Sequence, residues 1–308
     1  MTTAITLWLV MGVALAAYVG WAGVAVAAGA NPWVYVGGAV LAYVAILFTI
    51  TAIWFAIAWI FRAPRPPSVR IGILATLRMF ANELFAIARS GPRMAVYRWL
   101  FRDPEPAAAS APVLLLHGVL CNAGVWQGMR AELVARGVGP VYAMSYGPPL
   151  ASIDLFADQL AAKVDAILEA TGAPRVALVG HSMGALVARA YLRRHGAAKV
   201  ASLLTLGSPH HGSVHAWLFP GTCLGQLRPG NAWLEELNRA EGAPSPVRLM
   251  SVWSWHDSMV APQTSARLGG AENVELHGIG HNALLGDRRV YEIVVRELAE
   301  VARVAASR

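Results

Sequence analysis

The first 61 residues of this 308-residue chain contain no Asp, Glu, Lys or Arg. Within them two apolar runs, 5–28 and 34–61, flank the turn sequence Gly29-Ala30-Asn31-Pro32. Each run exceeds the roughly 20 residues that a helix needs to cross a bilayer. A helix pair buried in a water-soluble core normally keeps one polar face, and a secretory signal peptide begins with basic residues. The pattern therefore predicts a transmembrane helical hairpin over residues 1–62.

The charges that follow the second apolar run predict how the hairpin is oriented. Eight arginines lie between positions 62 and 105, against three acidic residues. Basic residues mark the cytoplasmic ends of membrane helices. We therefore expect a two-pass protein of a bacterial-type inner membrane with the rest of the chain in the cytoplasm; the periplasm is the alternative. In the cytoplasm Cys121 and Cys223 are reduced thiols, whereas after export they could pair.

The same basic excess indicates the kind of partner to expect. The chain has a formal net charge of +7, and much of it lies next to the predicted spans, where anionic lipid head groups attract it. No nucleic-acid-binding motif accompanies these arginines. The bilayer is therefore an expected partner and nucleic acid is not, while the sequence leaves the oligomeric state open.

Residues 63–110 read as a basic juxtamembrane segment with an amphipathic helix and a linker. Pro64-Arg65-Pro66-Pro67 ends the second span, and apolar side chains recur at helical spacing from Arg70 to about Arg89. Gly91-Pro92 is expected to break this helix. The stretch 103–110, rich in proline and alanine, predicts a linker.

From residue 111 to 308 the pattern alternates between apolar strand-like runs and helix-like runs. Such alternation predicts a parallel sheet with helices on both faces, and ligands of such sheets bind at the carboxyl ends of the strands. The predicted strands are Val113–Leu116, Val141–Ser145, Val176–Val179, Ala201–Leu206, Val247–Val252 and Asn273–Leu276. The predicted helices are Val125–Ala135, Leu155–Ala170, Ala185–Arg194 and Arg289–Val304.

One predicted strand runs directly into Gly180-His181-Ser182-Met183-Gly184, and a helix-forming run follows at once. A serine hydroxyl is a weak nucleophile unless it projects from a tight bend where a base can reach it. The flanking glycines relieve the crowding of such a bend, and the helix N-terminus points backbone N–H groups at an oxyanion formed there. The context predicts that Ser182 is a nucleophile; a glycine-rich turn that happens to hold a serine is the alternative.

A serine nucleophile needs a base and an acid that orients the base. His281 lies in a glycine-containing loop just after the last predicted strand, and Asp257 follows the preceding strand. Asp257 is the one aspartate between Ser182 and His281, and the glutamates in that interval lack a position at a strand end. The order Ser182, Asp257, His281 is the order typical of a nucleophile elbow. Structural roles, a helix cap for Asp257 and a loop hydrogen bond for His281, are the alternative.

The oxyanion hole is expected from two backbone N–H groups. One belongs to Met183, directly after the nucleophile, and the other to Val119, in the loop after the first predicted strand. Gly118 permits the bend of that loop. His117 is a second candidate base, but we expect it to hydrogen-bond the backbone beneath the site.

These residues resemble the α/β-hydrolase superfamily, in its bacterial lipase and esterase branch. The resemblance covers about 112–287 and implies an α/β-hydrolase fold, a mostly parallel sheet flanked by helices, here preceded by the two-helix hairpin. It rests on His117-Gly118, Gly180–Gly184, Gly207–Ser213, Asp257–Pro262 and Gly280-His281-Asn282.

The resemblance assigns the same triad, Ser182, Asp257 and His281, and the same oxyanion-hole amides, Val119 and Met183. Some lipases of this branch hold a structural calcium through an aspartate shortly after the catalytic histidine. Here Asn282-Ala283-Leu284 follow His281, so no metal and no cofactor is expected.

Residues 209–240 lack strand periodicity and are rich in apolar side chains, which predicts a short cap suited to acyl chains. Simple coverage of a sheet edge is the alternative. The cluster His210, His211, His215 and Cys223 invites a metal site, but its spacing fits no standard zinc pattern.

The expected function is a membrane-anchored serine hydrolase that cleaves carboxylic esters, with a lipid or another acyl ester as substrate. The same triad would serve a thioesterase, an amidase or an acyltransferase. A non-catalytic, membrane-tethered domain that binds lipid or protein is the alternative of a different class.

Overall fold

Six parallel strands form the central sheet of the computed structural model, which describes residues 3–105, 111–239, 241–243 and 245–306. The strands stand in the spatial order β2-β1-β3-β4-β5-β6, and every neighbouring pair is parallel. Their bounds are β1 Val113–Leu116, β2 Val141–Met144, β3 Val176–His181, β4 Val200–Leu206, β5 Arg248–Ser254 and β6 Glu272–Leu276. All six predicted strands are present, with ends that differ from the prediction by one or two residues.

The strand order reverses between β1 and β3, since the chain goes outward from β1 to β2 and then returns past β1 to build the rest of the sheet. The loops that leave the carboxyl ends of β1 and β3 therefore diverge and open a crevice, where ligands of such sheets bind. The loop after β1 begins at His117, and the bend after β3 begins at Ser182.

Two apolar cores cover the faces of the sheet. Leu114 and Leu116 of β1 face one core, with α6 and α7, while Val113 and Leu115 face the other, with α5 and α10. Successive strand residues point to opposite faces, and each buried aliphatic side chain contributes about 1.5–3 kcal/mol of transfer free energy. The helices of this domain are α5 Gln127–Ala135, α6 Ile153–Thr171, α7 Met183–His195, α8 Thr222–Gln226, α9 Ala232–Asn238 and α10 Arg288–Ala306.

Four helices precede the sheet: α1 Thr3–Ala27, α2 Pro32–Ile60, α3 Ile73–Ala95 and the short α4 Tyr97–Leu100. Two of them, over Leu9–Ala27 and Pro32–Ile60, are long and apolar enough to cross a membrane and are almost wholly unburied by the rest of the chain. Asn31 caps α2 by accepting a hydrogen bond from the N–H of Trp33 at 3.0 Å. These helices are candidate membrane spans, as the charge-free sequence predicts.

The prediction that Gly91-Pro92 ends the third helix is wrong, because α3 continues through both residues to Ala95. A proline inside a helix leaves the carbonyl four residues earlier without its N–H partner. Here that carbonyl belongs to Ala88, and the hydroxyl of Tyr43 on α2 donates to it at 3.5 Å. The predicted linker reaches residues 106–110, which lie outside the described part of the chain.

Candidate active site

Ser182 occupies a strained bend between β3 and α7. Its φ of 54° and ψ of −126° lie in a region that side chains disfavour, and its N–H donates to the carbonyl of Leu206 at 2.9 Å. A Cβ at Gly180 would stand 2.5 Å from the nitrogen of Ala185, and one at Gly184 would stand 2.2 Å from the oxygen of Leu116. The bend therefore requires glycine on both sides of the serine, which leaves the half-buried hydroxyl of Ser182 at its tip.

Asp257 and His281 form a buried, hydrogen-bonded pair. His281 Nδ1 lies 2.9 Å from Asp257 Oδ2 and 3.1 Å from Oδ1. The N–H groups of Met259 and Val260 each donate to Asp257 Oδ1 at 2.8 Å, which fixes the orientation of the carboxylate. Because a carboxylate only accepts, His281 Nδ1 carries the proton and Nε2 is left as the acceptor.

The surroundings of His281 favour its protonated form. Burial opposes the charged imidazolium, but the charge and hydrogen bond of Asp257, together with the charge of Glu83, outweigh it and raise the pKa of His281 above its ordinary value. This is the electrostatic requirement for a base that must hold a proton during a reaction.

The end of β4 brings the pair and the serine bend together. A Cβ at Gly207 would lie 3.0 Å from Asp257 Oδ2 and 3.4 Å from His281 Nδ1, and the preceding Leu206 is the residue that binds the N–H of Ser182. The His181 ring packs 4.5 Å from the His281 ring. Within the described residues, the hydroxyl of Ser182 makes no hydrogen bond to His281; such bonds often tighten only when substrate is bound.

The loop after β1 lies directly against Ser182, because a Cβ at Gly118 would stand 3.0 Å from Ser182 Cβ and 3.5 Å from its Oγ. Val119 follows in this loop. Met183 is the first residue of α7, so its N–H has no acceptor within the helix. The two N–H groups predicted to form an oxyanion hole therefore belong to the two segments that border the serine.

His117 is buried beneath this loop. Its Nδ1 donates to the carbonyl of Gly118 at 2.8 Å, and its ring stacks on Tyr146 at 4.0 Å. Burial lowers the pKa of His117 to about 4. A neutral ring already engaged with the backbone is a structural element of the loop.

Glu83 on α3 is a residue of this site that the sequence analysis missed. Its side chain is fully buried and accepts four hydrogen bonds: from Ser258 Oγ at 2.8 Å, from the N–H and Nδ2 of Asn282 at 3.0 Å each, and from the N–H of Ala283 at 2.9 Å. The N–H of His281 in turn donates to Ser258 Oγ at 3.3 Å. Glu83 therefore anchors both segments that carry the acid and the base.

A signal for Glu83 was present in the sequence. It lies four residues after Met79 and three before Ala86, and all three are the buried residues of α3. A lone carboxylate in the apolar stripe of an amphipathic helix is costly unless several donors surround it, so it indicates a partner in the core.

The region predicted as a cap is 209–240, and its described part, 209–239, contains a short 3₁₀ turn Val214–Trp217 followed by α8 and α9. Ser213 binds the loop after Asp257, since its Oγ donates to the carbonyl of Met259 at 2.7 Å. His215 contacts α2: its Nε2 lies 3.3 Å from the carbonyl of Trp54, and the two rings are 5.1 Å apart. This region therefore lies between the Asp257 loop and the end of α2.

The histidines considered for a metal site have separate partners instead. His210 contacts Thr205 and Arg189, and His211 lies 2.8 Å from Glu241. Cys121 and Cys223 are free thiols, and burial raises the pKa of Cys223 to about 11. Within the described residues no group of three His, Cys, Asp or Glu side chains is placed to hold a metal ion.

Comparison with known proteins indicates the same fold. Residues 111–251 match the family model described as alpha/beta hydrolase fold. Over 125 residues the chain is 34% identical to a triacylglycerol lipase of Pseudarthrobacter phenanthrenivorans, and the match covers 36% of each protein. The same identity and length hold for a triacylglycerol lipase of Burkholderia plantarii, covering 36% of this chain and 32% of that protein. The chain thus spans about a third of the length of these curated relatives.

Solved structures show the same fold. The mature Bacillus licheniformis lipase BlEst2 superposes with a TM-score of 0.55 at 19% identity, covering 64% of this chain and 95% of that one. Aspergillus fumigatus lipase B gives a TM-score of 0.58 at 19% identity, covering 67% and 57%. The sheet and helices from residue 111 onward therefore have the α/β-hydrolase fold.

Proposed function

We propose that this protein is a membrane-anchored serine hydrolase that cleaves carboxylic esters through Ser182, His281 and Asp257. The observation that carries the proposal is the buried Asp257–His281 hydrogen bond of 2.9 Å beside a serine held at a positive φ of 54°. Few structural roles require a strained serine next to a base whose pKa is raised. The triacylglycerol lipase relatives support the same class of reaction.

In the proposed reaction Ser182 Oγ attacks the acyl carbon while His281 Nε2 accepts its proton. Asp257 holds the imidazole through Nδ1 and stabilises its positive charge. The N–H groups of Val119 and Met183 donate to the oxyanion of the tetrahedral intermediate. His281 then gives the proton to the leaving alcohol, and water releases the acyl group from Ser182 by the reverse path.

We propose a lipid-like acyl ester as the substrate because the region 209–240 carries exposed apolar side chains next to α2. Trp217, Leu218 and Phe219 are 60%, 48% and 45% exposed, and the Phe219 ring lies 5.9 Å from that of Trp54 on α2. If α1 and α2 span a bilayer, these side chains lie where lipid can reach them. Because eight arginines follow α2, we propose that the domain from residue 111 onward faces the cytoplasm, with the periplasm as the alternative.

Labelling with a fluorophosphonate probe tests the proposal, because the probe reacts only with an activated serine. The full-length protein should be labelled, and Ser182→Ala should abolish labelling. Ser202→Ala is the matched control: Ser202 is buried on β4, and its hydroxyl has no hydrogen-bond partner among the described residues, so its loss should leave labelling intact. Absence of labelling that depends on Ser182 would favour a non-catalytic lipid- or protein-binding domain.

A labelled enzyme leaves the acyl acceptor and the leaving group to be identified. A thioesterase, an amidase and an acyltransferase use the same nucleophile. Turnover of matched oxygen esters, thioesters and amides, with and without an added alcohol, separates them: we expect the oxygen ester to be cleaved fastest and water to be the acceptor.

A further inference from the structure

A cavity of about 900 Å³ lies between the end of α2, the proline-rich segment after it, and α3. Its walls are largely apolar, and three arginines, Arg62, Arg65 and Arg70, line it. The apolar side chains of its wall include Phe55, Trp59, Met79 and Phe80. Asp257 and His256 also line this cavity, whereas Ser182 is not among its lining residues.

The arginines of this cavity are incompletely paired. Within the part of the chain that the structure describes, Arg65 Nε is buried and has no hydrogen-bond partner. The Arg62 guanidinium lies 3.9 Å and that of Arg65 5.5 Å from the centre of the same Trp59 ring, so both cations lie against one aromatic side chain. Burial, and then repulsion by Arg62, lowers the pKa of Arg65. A bound anion would relieve both effects.

The other titratable groups of the wall do not supply that anion. The Asp257 carboxylate is already engaged by His281 and by two backbone N–H groups. Burial, and then the charge of Arg65, lowers the pKa of His256 to about 4, so this imidazole is neutral near pH 7. The cavity is therefore a positively charged chamber with apolar walls.

We propose that this cavity binds the phosphate of an anionic phospholipid, with a hydrocarbon chain against Phe55, Trp59 and Phe80; this rests on the proposed membrane anchoring. Guanidinium groups match phosphate oxygens in geometry and charge. Arg62 follows the end of α2 at Ile60 by two residues, the level at which lipid head groups meet a spanning helix. A soluble phosphate would use the arginines but not the apolar walls.

Native mass spectrometry of the full-length protein in detergent tests this site. Ser182→Ala is used as the background, so that no lipid is consumed and binding is read whether or not Ser182 is a nucleophile. We expect phosphatidylglycerol to bind about tenfold or more tightly than phosphatidylcholine with the same acyl chains, because both carry the phosphate and only phosphatidylcholine adds a choline cation that the arginines repel. The preference should decline at high salt. Inorganic phosphate at equal concentration should not displace the lipid.

Variants locate the binding. Arg65→Gln should reduce the preference for phosphatidylglycerol about tenfold, and Arg70→Gln, an exposed position that tolerates exchange, should reduce it as well. Arg78→Gln is the matched control, because Arg78 is exposed on α3 outside the cavity. Equal binding of the two lipids by the parent protein would overturn the proposal, as would displacement by inorganic phosphate or equal losses in the Arg65 and Arg78 variants. If the fluorophosphonate probe failed to label Ser182 in the parent protein while lipid binding was as expected, the proposed hydrolase activity would be overturned and the proposed lipid site would not.

Discussion

Glu83 Oε1 accepts a hydrogen bond from Ser258 Oγ at 2.8 Å, although the two residues are 175 positions apart in the chain. Ser258 directly follows Asp257, and its Oγ also accepts from the N–H of His281 at 3.3 Å. Through Glu83, α3 thus holds the loops of the proposed acid and base. Glu83 is a positioning residue in this arrangement, since it reaches the reacting atoms only through others.

We expect Glu83→Gln to lower kcat/KM for a soluble ester about tenfold, because the amide nitrogen would face the N–H of Ala283 and one charge-assisted hydrogen bond would be lost. The pH dependence of kcat/KM tests the positioning role of Glu83 more sharply. Loss of the carboxylate removes an influence that raises the pKa of His281. His281 must be neutral to accept the proton of Ser182, so the acidic limb of kcat/KM should move to lower pH.

The matched control for Glu83 is Glu132→Gln on α5, where Glu132 pairs with Arg136 at the surface. Surface pairs contribute little to stability, so its profile should coincide with that of the parent protein. In Glu83→Asp the acidic limb of kcat/KM should move back part of the way toward its position in the parent protein, because the negative charge is restored. An unchanged acidic limb in Glu83→Gln would show that Glu83 only supports the fold.

The region 209–240 leads us to expect a preference for medium acyl chains over acetyl. Each buried methylene contributes about 0.8 kcal/mol, so kcat/KM should rise about fourfold per methylene until the site is filled. Phe219→Ser should flatten this dependence, whereas Val134→Ser, at an exposed position on α5, should not. A panel of p-nitrophenyl esters from acetyl to decanoyl measures it, and equal turnover of acetyl and octanoyl esters would contradict a cap that contacts the chain.

Gly184 illustrates a position where stability and the serine bend depend on the same atom. A Cβ there would stand 2.2 Å from the oxygen of Leu116 and 2.7 Å from that of His117, and both are backbone atoms that cannot move aside cheaply. We expect Gly184→Ala to destabilise the domain by about 3 kcal/mol or more. Gly225→Ala on α8, where the added Cβ would meet no described atom within 4 Å apart from its own helix backbone and chain neighbours, should stay within about 1 kcal/mol of the parent. Thermal unfolding of the full chain in detergent compares them, and equal midpoints would refute the packing argument.

The sheet was predictable because its strands are buried on both faces and therefore appear as short continuous apolar runs, such as Val113–Leu116. Asp257 and His281 could be proposed as acid and base from the sequence because chain order and strand ends restrict which residues can come near Ser182. Both inferences use local pattern together with general topology. They do not depend on how distant helices pack.

What the sequence did not reveal depends on such packing. The continuation of α3 past Pro92 uses a hydroxyl donor 45 positions away, and Glu83 finds donors about 200 positions away. The cavity lined by Arg62 and Arg65 exists only because α2 docks on the hydrolase domain, where the Gln263 side chain binds the carbonyl of Ala58 at 3.3 Å and the N–H of Ala63 at 3.3 Å. No periodicity in one segment predicts which other segment will cover it.

The orientation of the two apolar helices determines on which side of the membrane the domain from residue 111 onward lies, and an experiment can decide it directly. Both ends of a hairpin lie on one side of the bilayer, and eight arginines follow its second helix while the turn at Gly29–Asn31 carries no charge. Moving such a cluster across an energised membrane is unfavourable, so it should stay on the cytoplasmic side.

Protease added to intact spheroplasts should therefore leave the domain from residue 111 onward uncut, while the same protease should degrade it once detergent opens the membrane. A periplasmic binding protein degraded in both samples shows that the protease is active. Digestion of the hydrolase domain without detergent would place it in the periplasm, and would then make a Cys121–Cys223 disulfide worth measuring by thiol titration of the exported protein.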